Sequence, residues 1–142
     1  MTSPDIGLAY IYCNYKEQAS QSLISLLGSV IQQLIRKRSQ IPNEVLAMYK
    51  AHKALGTRPS RAEYSKMLRL VANSFSQVYV VIDALDECDE SSGTRRDLIS
   101  EFTNDAANWQ LICTSRHLGD IEQIFAKSSH LEIRASDEDV RI

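Results

Sequence analysis

Hydrophobic positions along the chain fall into two alternating kinds of segment. Short runs of mainly apolar residues, many of them β-branched or aromatic, occupy 8–13, 78–82 and 109–113, the last with Gln110 inside it. Each is bounded by turn-forming or charged residues and is too short for a core helix. Such runs predict strands buried on both faces, as in a parallel sheet under helices. Between them, apolar residues recur at helical spacing. Leu23, Leu26, Leu27, Val30, Ile31 and Leu34 form one stripe, with Ser20 or Ser22 as its cap. Gly28 lies inside that stripe, where glycine costs up to about 1 kcal/mol relative to alanine, so close packing is expected there. Pro42 opens a weaker helix that runs to Leu55 and is closed by Gly56. Ser60 and Glu63 have the spacing of a capping box, and Tyr64, Met67, Leu68, Val71, Ala72 and Phe75 follow on one face. Leu98, Ile99 and Phe102 mark a helix over 95–104, and Ile121, Ile124 and Phe125 another over 118–125. The alternation His130-Leu131-Glu132-Ile133-Arg134 predicts a half-buried strand. Acids at 137–139 predict a further helix start.

Strands alternating with helices predict an α/β fold with a parallel sheet, and 142 residues fit one domain. Hydrophobic content of 44% and charged content of 24% are those of an ordinary globular protein. The net charge of −2 gives no global field for nucleic acid or an anionic membrane. Arg36-Lys37-Arg38 suits a helix C-terminus; a nucleic-acid patch is the alternative reading, but no aromatic residues interleave it. No apolar run approaches the roughly 20 residues of a membrane helix, and 1–5 carry no secretory signal pattern. Cys13, Cys88 and Cys113 are odd in number and include no Cys-x-x-Cys, which argues for free thiols in a reducing, cytoplasmic setting.

Chemistry concentrates at two strand ends. Val78-Tyr79-Val80-Val81-Ile82 stops at Asp83, with Asp86 and Glu87 close behind. Ligands of open α/β sheets bind at the carboxyl ends of strands. Three carboxylates so close repel one another unless a cation or solvent intervenes. A hard, oxygen-liganded cation such as Mg²⁺ is the natural partner; a solvated acidic turn is the plainer reading. One strand later, Leu111-Ile112-Cys113 stops at Thr114-Ser115-Arg116. The guanidinium of Arg116 could fork onto phosphate oxygens, or simply face solvent. His52, His117 and His130 have no metal-ligand spacing.

Val80-Val81-Ile82-Asp83-Ala84-Leu85-Asp86-Glu87 resembles the Walker B segment of NACHT-type signal-transduction ATPases, a branch of the P-loop NTPases. The resemblance spans nearly the whole chain and is strongest to fungal NACHT proteins and the nephrocystin-3-like N-terminal family. It implies that Asp83 holds Mg²⁺ and that Asp86 or Glu87 positions the attacking water. It implies that Arg116 is the sensor 1 residue reaching the γ-phosphate of ATP or GTP, with Thr114 and Ser115 beside it; His117 replaces the proline that many relatives carry next. No Gly-x-x-x-x-Gly-Lys-[Ser/Thr] occurs, so 1–135 resemble a partial P-loop NTPase domain after its P-loop, with 136–142 beginning the next helical segment. In the family the strand order is 5-1-4-3-2. The strand ending at Asp83 should then lie between those at 8–13 and 109–113, with the 131–134 strand further away. Three functions follow as expectations: a partial nucleotide switch module, a non-catalytic interaction domain on the same fold, or another Mg²⁺-dependent α/β enzyme. Taken alone, the chain is expected to bind neither nucleotide nor Mg²⁺ tightly. Its partners are expected to be proteins or further copies, engaged through a repeat-containing parent.

Overall fold

A computed structural model describes residues 5–103, 108–134 and 136. Its elements run in order β1 (Ile6–Tyr12), α1 (Leu23–Ile35), α2 (Asn43–Leu55), α3 (Arg61–Ala72), β2 (Gln77–Asp83), α4 (Thr94–Thr103), β3 (Trp109–Cys113) and α5 (Gly119–Ile124). Short 3-10 turns sit at Tyr15–Glu17 and Leu85–Glu87. The fold is α/β, with a three-stranded parallel sheet flanked by helices.

The sheet order is β1-β2-β3, and both pairings are parallel. The strand ending at Asp83 is therefore central, as expected. Gly7, Ala9 and Ile11 align with Val78, Val80 and Ile82, which align in turn with Trp109, Leu111 and Cys113. Together with Leu27, Val30 and Leu34 of α1, Leu68 and Val71 of α3, and Leu98 of α4, this face forms the core. Phe102 meets Trp109 edge-on, with ring centroids 5.4 Å apart.

Strand burial differs from the expectation of two covered faces. Along β1 burial alternates strictly, and β2 is only half-buried on its second face. Ile6, Leu8, Tyr10 and Tyr12, with Ile112 of β3, are between 40% and 64% exposed on the far side. Handedness explains this. The chain steps from β1 to β2 to β3 in one direction, and right-handed crossovers then lay their helices on one face. A helix on the other face requires the strand order to turn back.

Local signals read from the sequence recur in the structure. Ser22 caps α1 through the Ser25 N–H at 3.2 Å. Ser60 and Glu63 form a reciprocal capping box, and Gly56 ends α2 in the left-handed region at φ 64°. Arg38 is engaged rather than free: it pairs with Asp5 at 2.5 Å and lies 3.9 Å from the centre of the Phe75 ring. Gly28 is not a close contact, because a Cβ there would meet Tyr64 at an ordinary 3.5 Å. Gly7 is the tight position, where a Cβ would stand 3.0 Å from Leu34 and 3.2 Å from Phe75.

The strand expected at 131–134 does not form. That stretch is irregular, and Leu131 and Ile133 are 85% and 86% exposed. Alternation alone holds no strand; a partner must supply hydrogen bonds, and the described sheet has none there. The helix start read at 137–139 lies outside the described residues.

The two sheet edges are unlike. At the outer edge of β1, Gln33 Oε1 accepts the Tyr10 N–H at 3.0 Å while its Nε2 donates to the Tyr10 carbonyl at 2.9 Å. Gln21 does the same one step on, accepting from the Asn14 N–H and donating to the Tyr12 carbonyl. Two side-chain amides thus stand in for a neighbouring strand. Among the described residues, no strand and no such amide lies along the outer edge of β3.

Candidate functional site at the strand ends

The three strands end together, and their last residues are tied by backbone bonds. The Cys13 N–H donates to the Asp83 carbonyl at 3.0 Å, the Thr114 N–H to the Ile82 carbonyl at 2.9 Å, and the Leu85 N–H to the Thr114 carbonyl at 2.9 Å. The chain must turn sharply after Asp83, and Ala84 does so at φ 54°, ψ 50°, a left-handed conformation that costs a non-glycine residue about 1–2 kcal/mol. A hydrogen bond from the Ala84 N–H to Thr114 Oγ1 at 2.9 Å holds the turn.

Asp83 and Thr114 are brought together. The Thr114 hydroxyl donates to Asp83 Oδ1. Asp83 is exposed at the rim, with its other oxygen outside that contact. Hard oxygen donors of this kind fit Mg²⁺, which takes one or two carboxylates and completes its shell with water and phosphate. They do not make a metal cage: among the described residues no three His, Cys, Asp or Glu side chains converge on a metal-sized space.

Asp86 and Arg116 are brought together too. Arg116 Nε lies 2.6 Å from Asp86 Oδ2, and its backbone N–H reaches Oδ1 at 3.3 Å. The Asp86 side chain is 5% exposed and that of Arg116 80%. Burial pushes the Asp86 carboxyl up, but the side-chain bond, backbone bond and charge of Arg116 outweigh it, so the group falls below its ordinary value. Arg116 is raised in return by the Asp86 bond and charge. Asp86 is thus a partner of the guanidinium. Glu87 is turned elsewhere, its Oε2 accepting the Tyr15 N–H at 3.4 Å and its carbonyl accepting from Gln18. Ser115 Oγ donates to the adjacent Arg116 carbonyl at 2.7 Å and bridges to none of the acids.

Three thiols lie beneath this rim, all free. Cys13 is held well above the ordinary thiol range, first by its side-chain bond to Cys88 and then by burial. Cys113 is pushed up to about 12 by burial. Cys88 is lowered by the bond from Cys13 and by the charge of Arg95. Sequence reasoning missed Arg95 as a member of this region. It is 6% exposed at the start of α4. Two arginines in a helix's first turn oppose the dipole, and that broken rule was the available signal.

An α/β domain with an acidic rim at the end of a central parallel strand defines the structural class. Over residues 1–116 the chain matches the family model described as Nephrocystin 3, N-terminal, and it belongs to that family. No curated protein and no solved structure matches it. Among the described residues, no helix is long and apolar enough to cross a membrane.

Proposed function

We propose that this chain is part of a nucleotide-binding switch module of the NACHT-type P-loop ATPases, carrying the Walker B and sensor 1 segments. The observation that carries this reading is the strand order. In the 5-1-4-3-2 sheet of that class, the Walker B strand lies between the second and fourth strands, as β2 lies between β1 and β3. The two motifs then share one rim. In this reading Asp83, assisted by the Thr114 hydroxyl, would hold Mg²⁺, which would supply positive charge to offset that of the nucleotide phosphates. Glu87 orients water. Arg116 exchanges its Asp86 partner for phosphate oxygens when nucleotide enters.

Both unsatisfied surfaces support the same reading. A P-loop strand placed along β3 and preceding β1 in the chain would reverse the strand order. Its right-handed crossover would lay a helix over Leu8, Tyr10 and Ile112. The phosphate cradle would come with it, since this sequence contains no Gly-x-x-x-x-Gly-Lys. The exposed apolar face also favours a second reading, an interaction domain that keeps the fold without nucleotide.

Calorimetric titration with Mg-ATP separates the two. The 142-residue chain is expected to bind more weakly than micromolar, a level that needs roughly 8 kcal/mol. The same chain joined to a P-loop strand and helix is expected to bind at that level. In the joined form, Asp83→Asn is expected to weaken Mg²⁺-dependent binding, whereas Glu87→Gln spares binding and slows hydrolysis. A folded joined form that binds no nucleotide would favour the interaction domain.

A further inference from the structure

A guanidinium buried at the positive end of a helix is costly unless acceptors surround it. Arg95 meets that condition. Its side chain is 8% exposed, against 77% for the neighbouring Arg96. Nη1 lies 2.8 Å from Glu90 Oε2 and 2.9 Å from Asp120 Oδ2. Nη2 donates to the Asp86 carbonyl at 2.9 Å and to the Cys88 carbonyl at 3.1 Å. Nε is buried with no partner, so the acceptors converge on one end of the fork. A lysine offers a single point of charge and cannot span four acceptors set this way.

Those acceptors belong to two segments that the candidate site needs side by side. Asp86 and Cys88 bracket the turn that carries Glu87. Asp86 is held from both ends: Arg95 takes its carbonyl and Arg116 its carboxylate. Asp120 lies in the first turn of α5, soon after Arg116. Arg95 therefore pins the acidic turn to the segment that presents its guanidinium partner.

We infer that Arg95 is a positioning residue: it fixes the turn that aims the Asp86 and Glu87 carboxylates and keeps the Arg116 segment beside it. This rests on the nucleotide reading only for what the carboxylates are aimed at; the positioning is a property of the chain by itself. The test is a carboxyl-carbon NMR titration of Asp86 in the 142-residue chain, with Arg116→Gln as reference and Arg95→Lys as the probe. Arg116→Gln should raise the Asp86 midpoint. Arg95→Lys should raise it by a comparable amount, with amide exchange in α1 unchanged. An Asp86 midpoint unmoved by Arg95→Lys, where Arg116→Gln moves it, overturns the inference, since a merely structural arginine would lower melting temperature and leave Asp86 where it was. Should Arg95→Lys fail to fold, Asp120→Asn on the half-exposed rim takes its place. Exchange at the Glu87 and Cys88 amides, which close the turn onto the Ala84 and Leu85 carbonyls, should then rise several-fold relative to α1. Unchanged exchange there overturns the inference equally. Failure of Mg-ATP binding in the joined form leaves both results standing, so the two readings fail separately.

Discussion

Ala84 occupies a backbone conformation that glycine adopts freely, yet it carries a Cβ. Its place between Asp83 and the acidic turn makes it a sensitive probe of that turn. Ala84→Gly is expected to stabilise the chain by about 0.5–1 kcal/mol, the relief of the Cβ clash less the extra freedom of the unfolded chain. Ala84→Val should destabilise it, because a β-branched residue fits that region worst. Urea denaturation of the two variants checks both signs. The Asp86–Arg116 pair makes a pH prediction. The Asp86 carboxyl is lowered in the folded state from an ordinary 3.8. Its contribution is therefore fully present above that value and fades as pH falls through the lowered one. Acid unfolding of Arg116→Gln should lack this portion of the pH dependence and start from a lower plateau at neutral pH. Identical acid curves for the two proteins would mean the pair is too solvated to matter.

At the scale of elements, β1 and α1 show which glycines the fold requires. Gly7 leaves no room for a Cβ beside Leu34 of α1 and Phe75, and Gly7→Ala is expected to cost about 1–3 kcal/mol by overpacking against them. Gly28 has room, and Gly28→Ala should stabilise α1 by up to about 1 kcal/mol. Thermal melts of the pair test an asymmetry that the sequence suggested the wrong way round, since spacing showed Gly28 inside an apolar stripe and gave Gly7 no special place. What was legible was local. β3 ends where its apolar run ends, α2 ends at the glycine that can turn left-handed, and Ser60–Glu63 is a cap by spacing alone. What was illegible depended on residues far away in the chain. Leu131 and Ile133 alternate as a strand would, but only a neighbour could have made them one. Arg95 broke the dipole rule for a first helical turn, but what holds it there is shown only by Asp86, Cys88 and Asp120 around it. The rim itself was half legible: Asp83 and Thr114 meet, as do Asp86 and Arg116, while Ser115 turns to the adjacent Arg116 carbonyl.

For the whole molecule, the exposed side of the sheet and the β3 edge, bare among the described residues, are expected to govern behaviour in solution. The isolated chain is expected to bind a hydrophobic dye such as ANS in its native state and to melt at a higher temperature when a P-loop strand-and-helix segment is added. Calorimetry with and without the segment checks the second point. An unchanged melting temperature would mean the face is not a docking surface for it.

The glutamine amides along β1 bear on how far such chains can aggregate. A strand edge ordinarily templates another, and the process repeats without limit. Here Gln21 and Gln33 occupy the β1 edge from Tyr10 to Asn14, so among the described residues β3 offers the longer open edge, and a second copy is expected to join there, edge against like edge. That contact uses the β3 edges of both copies at once. Association through the sheet is therefore expected to stop at two copies. Gln33→Val together with Gln21→Val would remove the stop, and light scattering should then show assemblies that keep growing with time.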